Sequence, residues 1–153
     1  SDLLIDSAIR EIRQLSHSLI PPAMTEASLE KSIESLITIV EEGSGMKVEK
    51  QLDKMDSSVM SEQLKLTIYR ILQEQMNNIL KHARASEISI SLIIKKSIQL
   101  LIKDNGVGFN AAQKEHGIGL NNIKNRAEFY NGTARITSSP AKGFKLSVQF
   151  PLV

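Results

Sequence analysis

Residues 73–83 read QEQMNNILKHA and form the last part of the longest helical pattern in this sequence, which covers about residues 61–83. On a helix that turns by about 100° per residue, Glu74, Asn78 and Lys81 fall on one face. Apolar side chains lie roughly opposite, at Ile68, Leu72, Met76, Ile79 and Ala83. The pattern therefore predicts a helix that buries one face and presents a carboxylate, an amide and a cation on the other.

The polar face of this helix has two interpretations. Glu74 and Asn78 lie one turn apart, so both could reach a single ligand or a hydrated divalent ion, and their oxygens suit Mg²⁺. Thr67 shares the same arc, and His82 lies at its edge. The other interpretation is an ordinary solvated face, which nearly every amphipathic helix has. The helix alone does not decide between them.

Two glycine-containing segments follow the helix. Residues 104–109, DNGVGF, stand at the end of a predicted strand, where an aspartate can accept hydrogen bonds and glycines let a ligand approach the backbone. Residues 117–120, GIGL, open a helix, whose free amides and dipole favour phosphate. Neither segment completes a dinucleotide fingerprint or a P-loop. The first could also be a flexible turn, so the order and spacing of the three segments carry the interpretation.

Two helices and a short strand are predicted upstream of the long helix. A stripe of apolar residues predicts a helix over residues 3–19, which the prolines at 21–22 end because they cannot donate a backbone hydrogen bond. This helix could pack on the domain or form half of a helical hairpin. A second helix is predicted from an N-cap at Thr25 to a stop at Gly43, followed by a strand over residues 47–52.

Downstream of the long helix, the apolar residues mostly alternate with polar ones. Residues 88–94 and 98–102 predict an antiparallel hairpin joined by a short polar turn. A helix and two more strands are predicted in order over residues 120–130, 134–136 and 144–150. This order predicts an α/β fold of the two-layer α+β type, in which helices cover one face of a mixed, mostly antiparallel sheet.

The composition narrows the possible functions. A chain of 153 residues is long enough for one domain with a sizeable core. It has no cysteine, which excludes a disulfide scaffold, a thiol nucleophile and a thiolate metal site, and which fits a reducing cytoplasm. The formal charge of +2 argues against a general nucleic-acid binder. No stretch approaches the roughly 20 apolar residues of a membrane span, so we expect a cytoplasmic location.

The three polar and glycine-containing segments, in this order, resemble the N, G1 and G2 boxes of the GHKL ATPase superfamily. The resemblance covers about residues 25–153 and is strongest to the ATP-binding domain of sensor histidine kinases whose N box reads QExxxNxxKHA. It implies a Bergerat-type ATP-binding fold. Residues 13–22, RQLSHSLIPP, also resemble the second helix of that group's dimerisation domain and its linker. Residues 1–22 are therefore predicted to be the end of a dimerisation helix with its linker, and residues 23–153 the catalytic domain.

The resemblance implies a role for each polar residue of the N box. Asn78 would coordinate the Mg²⁺ that bridges the phosphates, and Glu74 would orient or activate the attacking group. Lys81 and His82 would approach the phosphates from the same face. Asp104 would accept a hydrogen bond from the amino group of adenine.

The glycine boxes would complete the nucleotide site. Gly106 and Gly108 would let the purine lie against the backbone, and residues 109–116 would form a short ATP lid that begins at Phe109. The second box, with Gly117, Ile118, Gly119 and Leu120, would contact the phosphates, and its glycines would serve as a hinge. Residues 142–146 match the position of the last glycine box. Phe144 stands where the family usually has Thr, so no ligand contact is assigned to it.

The resemblance also implies a phosphoacceptor that this chain lacks. Its three histidines are His17, His82 and His116, and none has the acidic context of an acceptor on the first dimerisation helix. We therefore expect a histidine kinase catalytic domain that is not self-sufficient, with ATP and Mg²⁺ as its ligands. Expected partners are the acceptor domain of a homodimeric parent, with or without a membrane anchor, and a downstream response regulator. The chain by itself would be a monomer or a weak dimer and would bind no nucleic acid.

Two other classes of function remain open. One is another GHKL member, either an ATP-driven conformational ATPase or an anti-sigma-type serine kinase. The helix that ends at residues 21–22 favours the histidine kinase instead. An ATPase of this superfamily would normally add a transducer domain, for which we expect no room in 153 residues. The other is an interaction domain that has lost nucleotide binding. The presence of Glu74, Asn78 and Asp104 argues against this class.

Overall fold

Alternating apolar residues build the sheet on which the rest of the domain is assembled. In a computed structural model, which describes residues 3–18, 26–54, 59–82, 84–108, 117–138 and 141–152, the sheet has five strands in the order β1-β2-β3-β5-β4. In chain order these ranges contain α1 (Leu3–Ser18), α2 (Glu26–Ser44), β1 (Lys47–Leu52), α3 (Glu62–His82), β2 (Glu87–Ile94), β3 (Ser97–Asp104), α4 (Gly117–Phe129), β4 (Thr133–Ser138) and β5 (Phe144–Pro151).

The strand pairing confirms the predicted mixed sheet. β1 is parallel to β2, whereas β2–β3, β3–β5 and β4–β5 are antiparallel. The predicted hairpin forms between β2 and β3, with Ile94 paired to Ile98 across a tight polar turn. In the same register Ile88 lies opposite Asp104, so the last residue of β3 stands beside the first part of β2.

One face of the sheet is buried under helices. The side chains on this face are apolar and almost completely buried. They include Ile88, Ile90, Leu92, Ile98, Leu100, Ile102, Leu146, Val148 and Phe150. Helix α3 contacts β3, and α4 contacts β4 and β5. Complete burial of each such side chain contributes about 1.5–3 kcal/mol, so this layer is the main source of stability.

Helix α3 is the central helix and is more enclosed than its sequence pattern predicts. It begins after Ser61, whose hydroxyl accepts a hydrogen bond from the backbone amide of Leu64 at 3.1 Å, as an N-cap does. The helix contacts α1, α2 and α4 as well as the sheet. Thr67, expected on the solvated face, is therefore buried, and the amide side chains of Gln73 and Asn77 are buried as well.

Helix α1 packs on α2 and α3. Ala8, Ile9 and Ile12 are buried, and the Gln73 side chain donates a hydrogen bond from Nε2 to the carbonyl oxygen of Ile12 at 3.2 Å. In the structure, this helix packs on the domain, as one of the two arrangements considered for it requires. Among the described residues, no helix combines the length and the apolar character that a membrane crossing requires.

The ends of two helices differ from their predicted positions. α2 does not stop at Gly43 but continues to Ser44, and the left-handed residue is Gly45, with φ of 75° and an amide bonded to the Glu41 carbonyl oxygen at 2.9 Å. α4 starts at Gly117 rather than near Leu120. Thr25 and the prolines at 21–22 lie outside the described residues.

Candidate functional site

Helices α1, α3 and α4 enclose a polar pocket of about 140 Å³. The three polar residues that the helical pattern places on one face of α3, Glu74, Asn78 and Lys81, all line it. Three arginines that the pattern did not single out, Arg13, Arg70 and Arg126, line it too, as do Ile12, Gln73 and Asn77. The predicted polar face therefore lines one side of an open pocket, with Lys81 exposed at that face.

The first turn of α4 contacts the polar residues of α3. A Cβ atom on Gly119 would lie 2.7 Å from Oε1 of Glu74 and 2.9 Å from Oδ1 of Asn78, closer than real Cβ atoms come to other heavy atoms. Glycine at this position thus lets the two helices approach. The first amides of a helix have no partner within it, so α4 brings donors and the positive end of its dipole to the Glu74–Asn78 pair.

A second cluster forms at the end of β3, around Asp104. This carboxylate is only 8% exposed, and its Oδ1 accepts a hydrogen bond from the amide of Gly106 at 2.8 Å. Burial raises the pKa of Asp104, while hydrogen bonds from the backbone amides of Gly106 and Phe144 oppose that rise. A buried carboxylate held from behind by two amides is an acceptor that is fixed in orientation.

Glycine backbone surrounds Asp104. Gly143 has a φ of 75°, and a Cβ atom there would lie 2.3 Å from the carbonyl oxygen of Asp104. Gly106 is buried, and Gly108 has a φ of 63°. The last glycine box therefore packs directly on the first one. Phe144, to which no ligand contact is assigned, instead has a buried side chain and donates its amide to Asp104.

Asn105 ties the two clusters to the same end of the domain. Its Oδ1 accepts hydrogen bonds from the amides of Ser86 and Glu87 at 2.9 and 3.0 Å, and its Nδ2 donates to the Ser86 hydroxyl at 2.8 Å. Ser86 follows α3 by only a few residues, so the end of that helix is held beside the end of β3. Sequence reasoning missed Asn105, although an Asn directly after a strand is a known turn signal.

The remaining predicted residues are less closely associated with the pocket. His82 is exposed, and it is not among the residues that line the pocket. The Leu120 side chain is buried in the core, and the backbone of Ile118 lies in the first turn of α4. Phe109, the rest of the predicted lid and His116 lie outside the described residues, as does the side chain of His17.

The arginines change the electrostatics of the pocket. Arg126 is half-buried, and its pKa is lowered first by that burial and then by the nearby charge of Arg70, whereas Glu74 raises it. Among the described residues that line it, the pocket therefore combines one carboxylate with several cations. Arg70 lies one turn before Glu74 on α3, which is a detectable signal in the sequence. Arg126 comes from another element, and only the packing of α4 reveals its position.

Residues 63–153 match the family described as histidine kinase-, DNA gyrase B-, and HSP90-like ATPases. The chain belongs to this family. Because it is an ATPase family, the match confirms the prediction of an ATP-binding domain, and the segment matched contains the N, G1 and G2 boxes.

Full-length relatives of the chain are named as sensor kinases. It is 31% identical to the sensor histidine kinase MctS of Rhizobium johnstonii over 96% of this chain and 32% of that protein. It is also 31% identical to the sensor histidine kinase ComP of Bacillus subtilis, over 97% of this chain and 20% of that protein. These names confirm the predicted kind of ATPase domain. The chain spans only about a third or less of these two relatives.

The fold is also found among solved structures. The histidine kinase domain of the blue-light activated histidine kinase of Erythrobacter litoralis EL346 superposes with a TM-score of 0.69 and 18% identity, over 97% of this chain and 73% of that one. The Acinetobacter baumannii histidine kinase AdeS has a TM-score of 0.65 and 12% identity, over 95% of this chain and 76% of that one. At these identities the similarity is evidence for the fold alone, and it agrees with the predicted α/β sandwich.

Proposed function

We propose that this domain binds Mg-ATP and transfers the γ-phosphoryl group to a histidine side chain outside this chain. The observation that carries the proposal is the contact between Gly119 and the Glu74–Asn78 pair. This contact supports the proposal because it brings a carboxylate, a carboxamide and helix amides to one pocket. Phosphoryl transfer depends mostly on positioning and on charge neutralisation, which groups of this kind supply.

Asp104 and its surrounding backbone would recognise adenine. The exocyclic amino group of adenine is a donor, and the fixed carboxylate of Asp104 is an acceptor that matches it. Gly106 and Gly108 would leave space for the flat ring against the backbone, because neither has a side chain. The amides of Gly117 and Gly119 in the first turn of α4 would then hold phosphate oxygens, with Lys81 adding positive charge and His82 approaching from the same face.

The residues beside the phosphates fit a magnesium ion. Mg²⁺ prefers oxygen ligands and usually takes one or two from the protein, with waters and substrate phosphates as the rest. Asn78 would supply that oxygen, next to the Glu74 carboxylate. When bound, the ion would neutralise negative charge on the phosphates of the nucleotide.

Glu74 would act on the incoming histidine. An imidazole nitrogen attacks the γ-phosphorus while the bond to the oxygen that bridges the β- and γ-phosphates breaks, so ADP leaves with that electron pair. Glu74 would accept a hydrogen bond from the N–H at the other imidazole nitrogen, which orients the ring and stabilises its developing positive charge. The amides of α4 and Lys81 would stabilise the negative charge on the phosphoryl oxygens.

The parent protein would supply the remaining parts. Residues 1–22 would be the end of a dimerisation helix and its linker, followed by the catalytic domain at residues 23–153. The acceptor histidine would lie on a preceding helix of a homodimeric parent, and a response regulator would receive the phosphoryl group. We place this domain in the cytoplasm, whether or not its parent carries a membrane anchor.

Calorimetric titration with ATP and ADP, each with and without Mg²⁺, tests the proposal. We expect both nucleotides to bind and the affinity for ATP to rise when Mg²⁺ is present. Phosphorylation of a separately supplied acceptor-helix dimer by the domain with radiolabelled ATP then tests the transfer. Absence of binding at millimolar nucleotide would contradict the proposal and favour an interaction domain that has lost its ligand.

A further inference from the structure

The sheet has a second face, which points away from the helices. Along β3, β5 and β4, the apolar side chains that point toward the helices are buried or half-buried, and the residues between them point the other way. Most of these outward side chains are exposed. No described helix therefore packs over this side of the three strands, and it is open to a partner.

The outward side chains of these three strands carry charge of one sign. The chain has 17 Asp and Glu residues, yet none of them stands at an outward position of β3, β5 or β4. Lys103, Lys145 and Arg135 do stand there, one on each strand, and all three are exposed. We call the outward residues of β3, β5 and β4 the basic sheet face.

The register brings the three cations of the basic sheet face together. Lys103 lies directly opposite Lys145, and Arg135 on the next strand is a diagonal neighbour of Lys145. Like charges directly opposite each other destabilise a sheet. None of the three cations makes an ion pair with a described residue. A partner with carboxylates on its surface would supply the countercharge and remove this repulsion.

An open hollow of about 490 Å³ adds neutral donors at one end of the basic sheet face. Among the described residues, its polar lining has no carboxylate and consists of Lys96, Ser97, Asn131, Thr133 and Gln149. Ser97 is 8% exposed, and its hydroxyl accepts hydrogen bonds from the carboxamides of Gln149 at 3.0 Å and Gln99 at 3.3 Å. With both carboxamides donating, the hydroxyl hydrogen of Ser97 is left to donate to a ligand. The volume is many times the roughly 30 Å³ of one water, so the hollow admits a carboxylate side chain with its hydration water.

The composition of the basic sheet face favours a protein over other polyanions. Single-stranded nucleic acids stack their bases on aromatic side chains, and none stands at an outward position of these strands. The formal charge of +2 for the whole chain also argues against a general nucleic-acid binder. Attachment to a membrane surface requires large apolar side chains, but Leu101 on this face is half-buried.

We propose that the basic sheet face is a docking surface for an acidic protein partner. Lys103, Lys145 and Arg135 face the carboxylates of that partner, and the hollow at Ser97 receives one of them. The surface lies on the opposite side of the sheet from α3 and α4, so a docked partner leaves the nucleotide site free. The inference goes beyond the proposed function and does not depend on it.

Titration of the isotope-labelled domain with an oligoglutamate peptide blocked at both ends, followed by NMR, tests this inference. We expect the largest changes in chemical shift on β3, β5 and β4, and a loss of affinity as salt is added, because the charges are exposed. The matching glutamine peptide should not bind. The double variant Lys103→Gln/Lys145→Gln should bind the oligoglutamate about 5- to 20-fold more weakly, the combined effect of losing two exposed ion pairs.

The matched control removes the same net charge elsewhere. Lys31→Gln/Lys124→Gln changes exposed positions of α2 and α4, and its affinity for the peptide should stay within about twofold of wild type, because distant charges are screened. Gln149→Leu removes the amide donor of the hollow at similar size and should weaken binding by about 2- to 10-fold. Urea unfolding should show that the Lys103→Gln/Lys145→Gln variant is no less stable than wild type, since it loses a like-charge pair.

Several results would overturn the assignment. Absence of binding at millimolar peptide, or an equal loss of affinity in both double variants, would mean that the basic sheet face is an ordinary solvated surface. Shift changes centred on α3 and α4 would place the peptide in the nucleotide pocket instead. Unchanged affinity in Gln149→Leu would refute the role of the hollow. A DNA duplex, or vesicles of phosphatidylserine and phosphatidylcholine, that bind more tightly than the peptide and need Lys103 and Lys145 would refute a protein partner.

These outcomes are separate from failure of the proposed function. A domain that binds the peptide on β3, β5 and β4 but binds no nucleotide would keep the docking surface and lose the nucleotide site. A domain that binds nucleotide but not the peptide would keep the nucleotide site and lose only the docking surface.

Discussion

At the scale of single residues, the charge of Asp104 lowers the stability of the domain, whereas its proposed role is in ligand binding. Burial raises its pKa, so between its ordinary value and the raised one the folded state holds more protons than the unfolded state. In that window stability falls as pH rises, because the buried carboxyl group must ionise. Its charge therefore costs stability at neutral pH, which makes a role in recognition a better reason for its presence.

The variant Asp104→Asn tests this separation. Asparagine keeps an oxygen that can accept from Gly106 and loses the charge that burial penalises, but its NH₂ group cannot accept from the amide of Phe144. These two effects oppose each other, so stability near pH 7 should change little. Affinity for ATP should fall by about 10- to 100-fold, since a hydrogen bond to a charged group contributes about 1.5–3 kcal/mol. Urea unfolding and calorimetry measure the two quantities, with the exposed Glu128→Gln as the control. Unchanged ATP affinity would exclude Asp104 from the adenine pocket.

Asn78 differs from Asp104 in the part of the ligand that it should contact. If it binds Mg²⁺, Asn78→Ala should abolish most of the gain in ATP affinity that Mg²⁺ causes and should leave adenosine binding unaltered, because adenosine carries no phosphate for the metal to bridge. Calorimetry with ATP at several Mg²⁺ concentrations gives the gain. Asn125→Ala, which removes an exposed carboxamide from α4, serves as the control. Equal weakening of both ligands would exclude the metal role.

The sequence was most informative for residues whose spacing is local. Glu74, Asn78 and Lys81 share one helix, so their common face follows from the helical period alone. Arg126 and Asn105 were missed, because their roles depend on where another element packs. Thr67 was misjudged for the same reason: a helical wheel cannot tell that a second layer of helices covers the polar side of α3.

At the scale of elements, the junction of α3 and α4 depends on Gly119. In Gly119→Ala the new Cβ atom would meet the ends of the Glu74 and Asn78 side chains, which can move aside. The free energy of unfolding should therefore change by less than about 1 kcal/mol, since alanine also has a higher helix propensity than glycine. ATP affinity should fall by on the order of tenfold or more, because displaced side chains no longer match the ligand.

Asn121→Ala, at an exposed position of the same helix, provides the comparison for this variant. It changes helix propensity without approaching α3. Full ATP affinity in Gly119→Ala would mean that the approach of the two helices does not build the site, and the proposed function would lose the observation that carries it.

The contact between α1 and α2 has a different character, because rigid atoms meet there. A Cβ atom on Gly43 would lie 2.5 Å from the Cβ of Ala8 and 3.2 Å from the carbonyl oxygen of Leu4. Gly43→Ala should force α1 away from α2 and cost about 1–3 kcal/mol, the usual effect of overpacking. Urea unfolding against the exposed Glu42→Ala measures this cost. A gain in stability would show that α1 does not rest on α2 in solution.

Element boundaries were predicted less well than the elements themselves. Gly43 looked like the stop of α2, but its role is close packing against α1, while Gly45 takes the left-handed conformation. α4 likewise begins among the glycines of the second box, since tertiary contact with α3 outweighs their low helix propensity. Alternation in the strands and the polar turn at 95–97 were sufficient for the hairpin, because both are local signals.

At the scale of the whole molecule, long-range contacts bring the two clusters of the site to the same end of the domain. One is built on α3 and α4, and the other on β3 and the residue before β5, with Asn105 joining the ends of α3 and β3. The order of the three boxes predicts that they meet, but only the sheet order β1-β2-β3-β5-β4 explains how. β5 lies beside β3, so Gly143 can pack on Asp104.

A ligand that contacts both clusters should therefore stabilise the domain as one unit. At a nucleotide concentration about 100 times its dissociation constant, the free energy of unfolding should rise by about 2.7 kcal/mol. For a domain of this size that corresponds to an increase in Tm of roughly 5–10 °C. Calorimetric scans with Mg-ATP should show a single shifted transition, whereas Asp104→Asn at the same nucleotide concentration should show a much smaller shift. Two transitions, of which only one moves, would mean that nucleotide stabilises one part of the molecule and that the two clusters do not share a ligand.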